Sequence, residues 1–135
     1  MAKPDSTAHD RIRSTLAKYC QHVVDREYRE WAELFDVDGV LHTQGQELHG
    51  RQEILAYIEQ TYGSAPPAVN LTVNSVIEVS GSTAAATSEF VTLRPRDSGF
   101  EVKSFGRYLD RLVERAGEWY FLERRIVARG VAGHS

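Results

Sequence analysis

Phe105-Gly106-Arg107-Tyr108-Leu109-Asp110-Arg111-Leu112-Val113-Glu114-Arg115-Ala116-Gly117-Glu118-Trp119-Tyr120-Phe121-Leu122-Glu123-Arg124-Arg125-Ile126-Val127 reads as two long strands joined at Arg115-Ala116-Gly117. Side chains alternate across a strand, so Gly106, Tyr108, Asp110 and Leu112 share one face and Arg107, Leu109, Arg111 and Val113 the other. On the return strand, Trp119, Phe121, Glu123 and Arg125 alternate with Tyr120, Leu122, Arg124 and Ile126. Gly117 supplies the positive φ that a tight hairpin connection needs. Neither face is wholly polar, and a sheet with apolar residues on both sides must be covered on both. Upstream elements are expected to cover one side, and a second copy of the chain is a candidate for the other.

Two strands precede this hairpin. In Val69–Val79, Leu71, Val73, Ile77 and Val79 are expected on one face and Asn70, Thr72, Asn74, Val76 and Glu78 on the other. Asparagine disfavours strands and needs hydrogen bonds when buried, so the second face borders a polar pocket or is partly solvated. Ser80-Gly81-Ser82 turns the chain. Thr83–Leu93 returns it, with Ala84-Ala85-Ala86 leaving room for a close neighbour. Arg94-Pro95-Arg96-Asp97-Ser98-Gly99 is read as a turn, because Pro95 has no N–H to give a central ladder. These segments predict a sheet of about four main strands.

Helices come earlier. Ser6 or Thr7 is placed to cap a first helix whose buried stripe is Ile12, Leu16, Tyr19, Cys20, Val23 and Val24. Tyr19 carries its hydroxyl into that stripe, either as a satisfied core tyrosine or as a pocket group. Asp25 follows the helix, either as the cap of the next one or as a general base. Glu27–Phe35 predicts a short amphipathic helix through Tyr28, Trp31, Leu34 and Phe35. Asp36-Val37-Asp38-Gly39 is read as a turn, Val40–Thr43 as a short strand and Gln46–His49 as its return. His42 shares a face with Val40 and is open to a structural role or to acting as a base. Gly50–Tyr62 predicts a third helix burying Ile54, Leu55, Ile58 and Tyr62, ended by Gly63-Ser64-Ala65-Pro66-Pro67. Helices first and an antiparallel meander after them mean α+β: three N-terminal helices packed on a curved, mostly antiparallel sheet, closing a cone with a pocket inside.

The 135 residues fit one domain, with a core of about residues 7–128 and loose ends at Met1–Ser6 and Gly130–Ser135. A net charge of −3 argues against a dedicated nucleic-acid or anionic-membrane binder. No apolar run has the length of a membrane span, and the N-terminus lacks the apolar core of a signal peptide, so the cytoplasm is the expected location. Cys20 is the single cysteine, which excludes an intrachain disulfide and a cysteine zinc cluster. No His/Cys/Asp/Glu set has the spacing of metal ligands, so neither metal nor cofactor is expected.

The chain resembles the SnoaL-like branch of the nuclear transport factor 2-like superfamily, which includes scytalone dehydratase, ketosteroid isomerase and limonene epoxide hydrolase. The resemblance runs from about Arg11 to Val127. It is carried by Ile12 through Tyr19-Cys20, Trp31-Ala32-Glu33-Leu34-Phe35, Gly50-Arg51-Gln52-Glu53-Ile54, Asn70-Leu71-Thr72-Val73-Asn74, Gly81-Ser82-Thr83-Ala84, Gly106-Arg107-Tyr108-Leu109-Asp110 and Trp119 through Arg124-Arg125. It implies an α+β cone with a deep apolar pocket, dimerised through the open sheet face. Dehydratase-type relatives pair an acid near the end of the first helix with a histidine on the first long strand. Asp25 is the candidate acid, six positions after Tyr19 where five is expected. Asn70 occupies the histidine slot, and an amide takes no proton at neutral pH. Asn74 matches the family's asparagine on that strand.

Three functions follow from these residues. The first is a metal-independent enzyme acting on a small hydrophobic molecule, of polyketide, terpenoid or steroid type, by dehydration, isomerisation or cyclisation. In it Tyr19 is the acid or donor, Asp25 or His42 the base, and Asn70, Asn74 and Tyr108 hold the ligand. The second is a non-catalytic binding or accessory protein of the same fold, which the missing histidine favours. The third, ranked below both, is a structural subunit like the β subunits of ring-hydroxylating dioxygenases, which share the fold. Convergence of Tyr19, Asp25, Asn70 and His42 on one cavity separates the enzyme from the binding protein.

Overall fold

The computed structural model describes residues 4–63 and 68–133. Helix α1, Pro4–Val24, is followed by the single-turn α2, Tyr28–Ala32, and by α3, Gly50–Tyr62. The periodic apolar stripe accounts for α1: Ile12, Leu16, Tyr19 and Val23 are buried one above the next. The Ser6 or Thr7 start is corrected, because the helix already runs from Pro4. Proline favours a first helical turn, where its missing N–H costs nothing. The second helix is shorter than predicted, and Phe35 begins a strand. Helix α3 has the predicted bounds, with Ile54 and Ile58 on its buried side. The Ser64–Pro67 part of the expected terminator lies outside the described residues, as do Met1–Lys3 and His134–Ser135 of the two ends.

The strands are β1 (Phe35–Thr43), β2 (Gln46–His49), β3 (Val69–Ser80), β4 (Thr83–Arg96), β5 (Gly99–Arg115) and β6 (Glu118–Val131). They form one six-stranded sheet, ordered β2-β1-β6-β5-β4-β3, rather than four main strands. Only β1 and β6 run parallel. The turn expected at Asp36–Gly39 is an excursion inside β1, where Phe35 pairs with Phe121 and Val40 already with Glu123. A Cβ on Gly39 would stand 2.9 Å from two carbonyl oxygens, so the fold-back needs glycine. The β4–β5 hairpin extends to Arg96 and Gly99 and takes in Pro95. Strand β3 last pairs at Leu93, so Pro95 sits where β4 has an open edge. The long β5–β6 hairpin turns as expected, with Ala116 and Gly117 both at positive φ between paired Arg115 and Glu118.

Bulges correct the predicted faces. On β3, Val73 pairs with Glu89 and Val76 with Thr87, so Asn74-Ser75 oppose Ser88 alone. Asn74 takes φ 55°, a left-handed conformation that asparagine tolerates. Beyond it the faces exchange: Asn70 and Thr72 point inward before the bulge, and Ser75, Ile77 and Val79 after it. On β6, Arg111 pairs with Glu123 and Leu112 with Phe121, leaving Leu122 as the extra residue. Trp119 and Phe121 are therefore buried together with Arg124, whereas alternation had put Arg124 on the opposite face.

Helix α1 lies across the inner face and is tied to it. Thr15 Oγ1 donates to the Trp119 carbonyl at 3.0 Å, and His9 Nε2 meets the Ile77 carbonyl at 3.1 Å. The core gathers Ile12, Leu16, Tyr19, Trp31, Phe35, Ile54, Ile58, Phe90, Tyr108, Leu112 and Phe121. Helices on one face of a curled sheet make the predicted α+β cone. No helix among the described residues is long and apolar enough to cross a membrane.

Candidate functional site: a cone cavity and an adjoining groove

Two spaces meet at Asn70. The first is a cavity of about 400 Å³ inside the cone. Six of the residues lining it are aromatic: Tyr19 and Trp31 from the helices' side, Tyr57 and Tyr62 from α3, Phe90 from β4 and Tyr108 from β5. Polar lining comes from Thr43, Gln44, Asn70, Thr92, Lys103 and Ser104. No Asp, Glu or His is among the described residues that line it. The second space is a groove of about 500 Å³ between α1 and the edge strand β3, lined by Leu16, Cys20, Val24, Asp25, Leu71 and Thr72 among others. Asn70 borders both.

Hydrogen bonding orients the Asn70 amide. The Thr92 hydroxyl donates to Asn70 Oδ1 at 3.0 Å, leaving the amide NH₂ as the group available to a ligand. Beneath the aromatic wall lies a buried ion pair. Arg124 Nε and Nη2 donate to the two oxygens of Asp110 at 2.7 and 2.8 Å, and both side chains are fully buried. The guanidinium carbon stands 3.7 Å from the Tyr108 ring centre, 4.2 Å from that of Tyr19 and 4.4 Å from that of Phe121. Burial opposes the guanidinium's charge, but Asp110 outweighs it and holds Arg124 above its usual pKa. Tyr108 also stacks on Phe90 at 4.7 Å.

The wall is one of proton donors. Burial pushes the Tyr19 phenol well above its ordinary pKa, aided by Tyr108 and opposed by Arg124. Burial raises Tyr108 and Tyr62 likewise. Near neutral pH these phenols keep their protons and serve as hydrogen-bond donors, not as bases. The buried Nε1 of Trp31, another lining residue, has no hydrogen-bond partner among the described residues. No group of three or more His, Cys, Asp or Glu among the described residues is placed to hold a metal.

The SnoaL-like domain family matches residues 4–125. The chain belongs to this family. Solved structures with the same fold surround this SnoaL-like domain. A single-substitution form of Rv3472 from Mycobacterium tuberculosis, a protein of unknown function, is 26% identical with a TM-score of 0.84, over 90% of this chain and 76% of that one. An NTF2-like protein with a cystatin-like fold from Novosphingobium aromaticivorans is 21% identical with a TM-score of 0.84, over 94% and 84% of the two chains. ActVI-ORFA of Streptomyces coelicolor is 21% identical with a TM-score of 0.81, over 90% and 97%. No curated protein matches the sequence. The family model and these neighbours agree on the NTF2-like fold.

The SnoaL-like domain gathers some of the sequence-derived residues and separates others. Tyr19, Asn70 and Tyr108 line the cone. Asp25 is exposed just past α1 and borders the groove instead. His42 lies elsewhere: Leu41 and Thr43 are the buried neighbours on β1, so His42 faces outward, with Nε2 2.6 Å from Glu123 and Nδ1 3.7 Å from Glu47. Asn74 does as well, since its bulge leaves it exposed and outside both walls. Tyr19, Asp25, Asn70 and His42 therefore do not converge. Lys103 and Ser104 were missed, because the alternation is read from Phe105 while β5 already begins at Gly99. Trp31, Tyr57 and Tyr62 showed only as helix residues.

Proposed function

We propose that this SnoaL-like domain binds a small, flat, mostly apolar molecule carrying a carbonyl or hydroxyl group, and that it does so without acid–base turnover inside the cone. The observation that carries this reading is the cone's lining: six aromatic residues, several donors, and neither carboxylate nor imidazole among the described residues. Proton abstraction needs an acceptor within hydrogen-bond reach of the substrate, and phenols with raised pKa values do not provide one. Donors around an aromatic slot hold an acceptor-bearing ring by the ordinary logic of ligand pockets.

A second reading keeps the enzyme. Asp25 borders a groove that shares Asn70 with the cone, so a substrate spanning both spaces would bring a carboxylate base near the amide. Dehydration, isomerisation or cyclisation of a polyketide-, terpenoid- or steroid-like compound would then be the chemistry. One set of variants separates the two. Hydrophobic ketones, enols and epoxides are screened by thermal shift, since a ligand that binds the folded state raises the melting temperature. Tyr19→Phe and Asn70→Ala are each expected to weaken the hit by about 1 kcal/mol, the worth of a buried hydrogen bond. Asp25→Asn should leave affinity unchanged. If a hit is turned over and Asp25→Asn slows it roughly a hundredfold, the enzyme reading replaces the binding one.

The outer sheet face supports a homodimer. Leu71, Val73, Phe105, Leu109 and Val127 are exposed there. Register places Leu71, Val91 and Phe105 in one row and Val73, Glu89, Arg107 and Val127 in the next. The Arg107–Glu89 pair at 2.7 Å sits between the apolar groups. An apolar face of this kind on a soluble chain marks an interaction surface. Light scattering at micromolar concentration should give twice the chain mass, and a monomer would count against the interface.

A further inference from the structure

Lys103 reaches the cone through an irregularity of β5. Val102 pairs with Leu93 and Ser104 with Thr92, so Lys103 has no opposite residue on β4. Val102 and Phe105 stand exposed on the outer face. Plain alternation would send Lys103 to the side of Phe105; the extra residue instead turns Lys103 and Ser104 together into the cavity wall. Bulges recur beside binding sites because they re-aim a side chain in this way. Lys103 is half-buried, and its Nζ lies 5.3 Å from the centre of the Tyr62 ring. Among the described residues no ion pair includes it, and neighbouring Glu101 is held by Arg94 and Arg96. It is the one charged side chain among the described residues lining the cone, because Arg124 lies beneath the wall and is balanced by Asp110.

A half-desolvated cation with no counter-charge, at the rim of an aromatic slot, favours entry of an anion and disfavours a cation. We propose that Lys103 is the anion-recognition residue of this site and that the ligand is a flat aromatic monoanion, a carboxylate or phenolate. Its ring system lies among Tyr19, Trp31, Tyr62 and Tyr108, and its charged group meets the Lys103 ammonium and the Ser104 hydroxyl. This rests on the cone being the ligand site.

The test compares 2-naphthoate with its neutral near-isostere 2-naphthamide, read by titration calorimetry and by quenching of tryptophan fluorescence, since Trp31 is in the wall. Naphthoate is expected to bind about tenfold tighter than the amide, the scale of one charge-assisted hydrogen bond. Added salt should weaken naphthoate alone. Lys103→Gln should abolish the preference by weakening naphthoate about tenfold more than it weakens the amide, and Lys103→Arg should retain it. Circular dichroism of each variant establishes that the fold persists. Equal binding of the two probes to the native chain, or a preference that survives Lys103→Gln, overturns the anion inference and leaves the cone as a ligand site. Binding of neither probe overturns the cone as an aromatic-ligand site, and the inference with it.

Discussion

Asp110→Asn should lower folding stability by about 3–5 kcal/mol, the cost of removing one partner from a buried ion pair. The reason is what remains. Arg124 is fully buried and would lose the two charge-assisted bonds that offset its desolvation. The rings of Tyr19, Tyr108 and Phe121 around it stabilise a cation, but each such contact is worth only about 0.5–2 kcal/mol. In urea the midpoint should fall by roughly 2 M. The joint replacement Asp110→Leu with Arg124→Met should recover most of the loss, because replacing a buried pair by apolar groups of similar volume is often neutral. A cost below about 1 kcal/mol for Asp110→Asn would mean that the pair is solvated. Because the guanidinium supports two tyrosines of the cavity wall, the single variant should also weaken ligand binding, and the joint replacement should not restore it fully.

That ion pair shows where sequence reading ends. Alternation through Phe105–Val127 puts Asp110 on one face with Tyr108 and Leu112, the face that is buried, but puts Arg124 on the face opposite Phe121. One extra residue at Leu122 reverses the side chains after it, up to the next irregularity between Ala128 and Gly130. Leu122 is an ordinary strand residue, so nothing in its chemistry announces the bulge. Asn74 carried more signal, since an asparagine inside a β-branched run is suited to a left-handed residue. A strict two-residue period instead puts it on the face of Asn70. The helices were more legible, because burying one stripe tolerates an end that moves by a turn.

The site divides along the same line. Tyr19 reaches the cone because the helical period of α1 carries it into the buried stripe, and Tyr108 because the two-residue period of β5 holds from Phe105 onward, past the bulge at Lys103. Asn70 does so because it precedes the bulge on β3. His42 fails for a different reason: Val40 on its face is only partly buried, while Leu41 and Thr43 take the inner side. Lys103 was hidden by both effects at once, a strand extending past its expected start and a bulge at the residue itself.

Gly106→Ala is expected to destabilise by roughly 3 kcal/mol, at the upper end of what forced overpacking of a core costs. A methyl built there would lie 2.1 Å from the Val127 carbonyl oxygen, 2.9 Å from the Ala128 Cα and 2.8 Å from the Phe90 ring. Two of these neighbours are backbone of the paired strand and cannot turn aside, so β5 and β6 must separate. Gly130 is the control. Its added methyl would lie 2.2 Å from an atom of the Phe105 ring, a nominal overlap just as severe. Phe105, however, is a half-exposed side chain packed over that glycine from the outer face, and rotation about χ1 removes the contact. Gly130→Ala should therefore cost less than about 1 kcal/mol, within the range of surface substitutions that break no special feature. The two variants also differ in the cavity. Phe90 stacks on Tyr108, so displacing its ring at Gly106 disturbs the wall that the ligand meets, and affinity should fall along with stability. Gly130→Ala should leave affinity untouched. If the two substitutions cost the same in chemical denaturation, the close approach of β6 to Gly106 is not what fixes the register of the long hairpin.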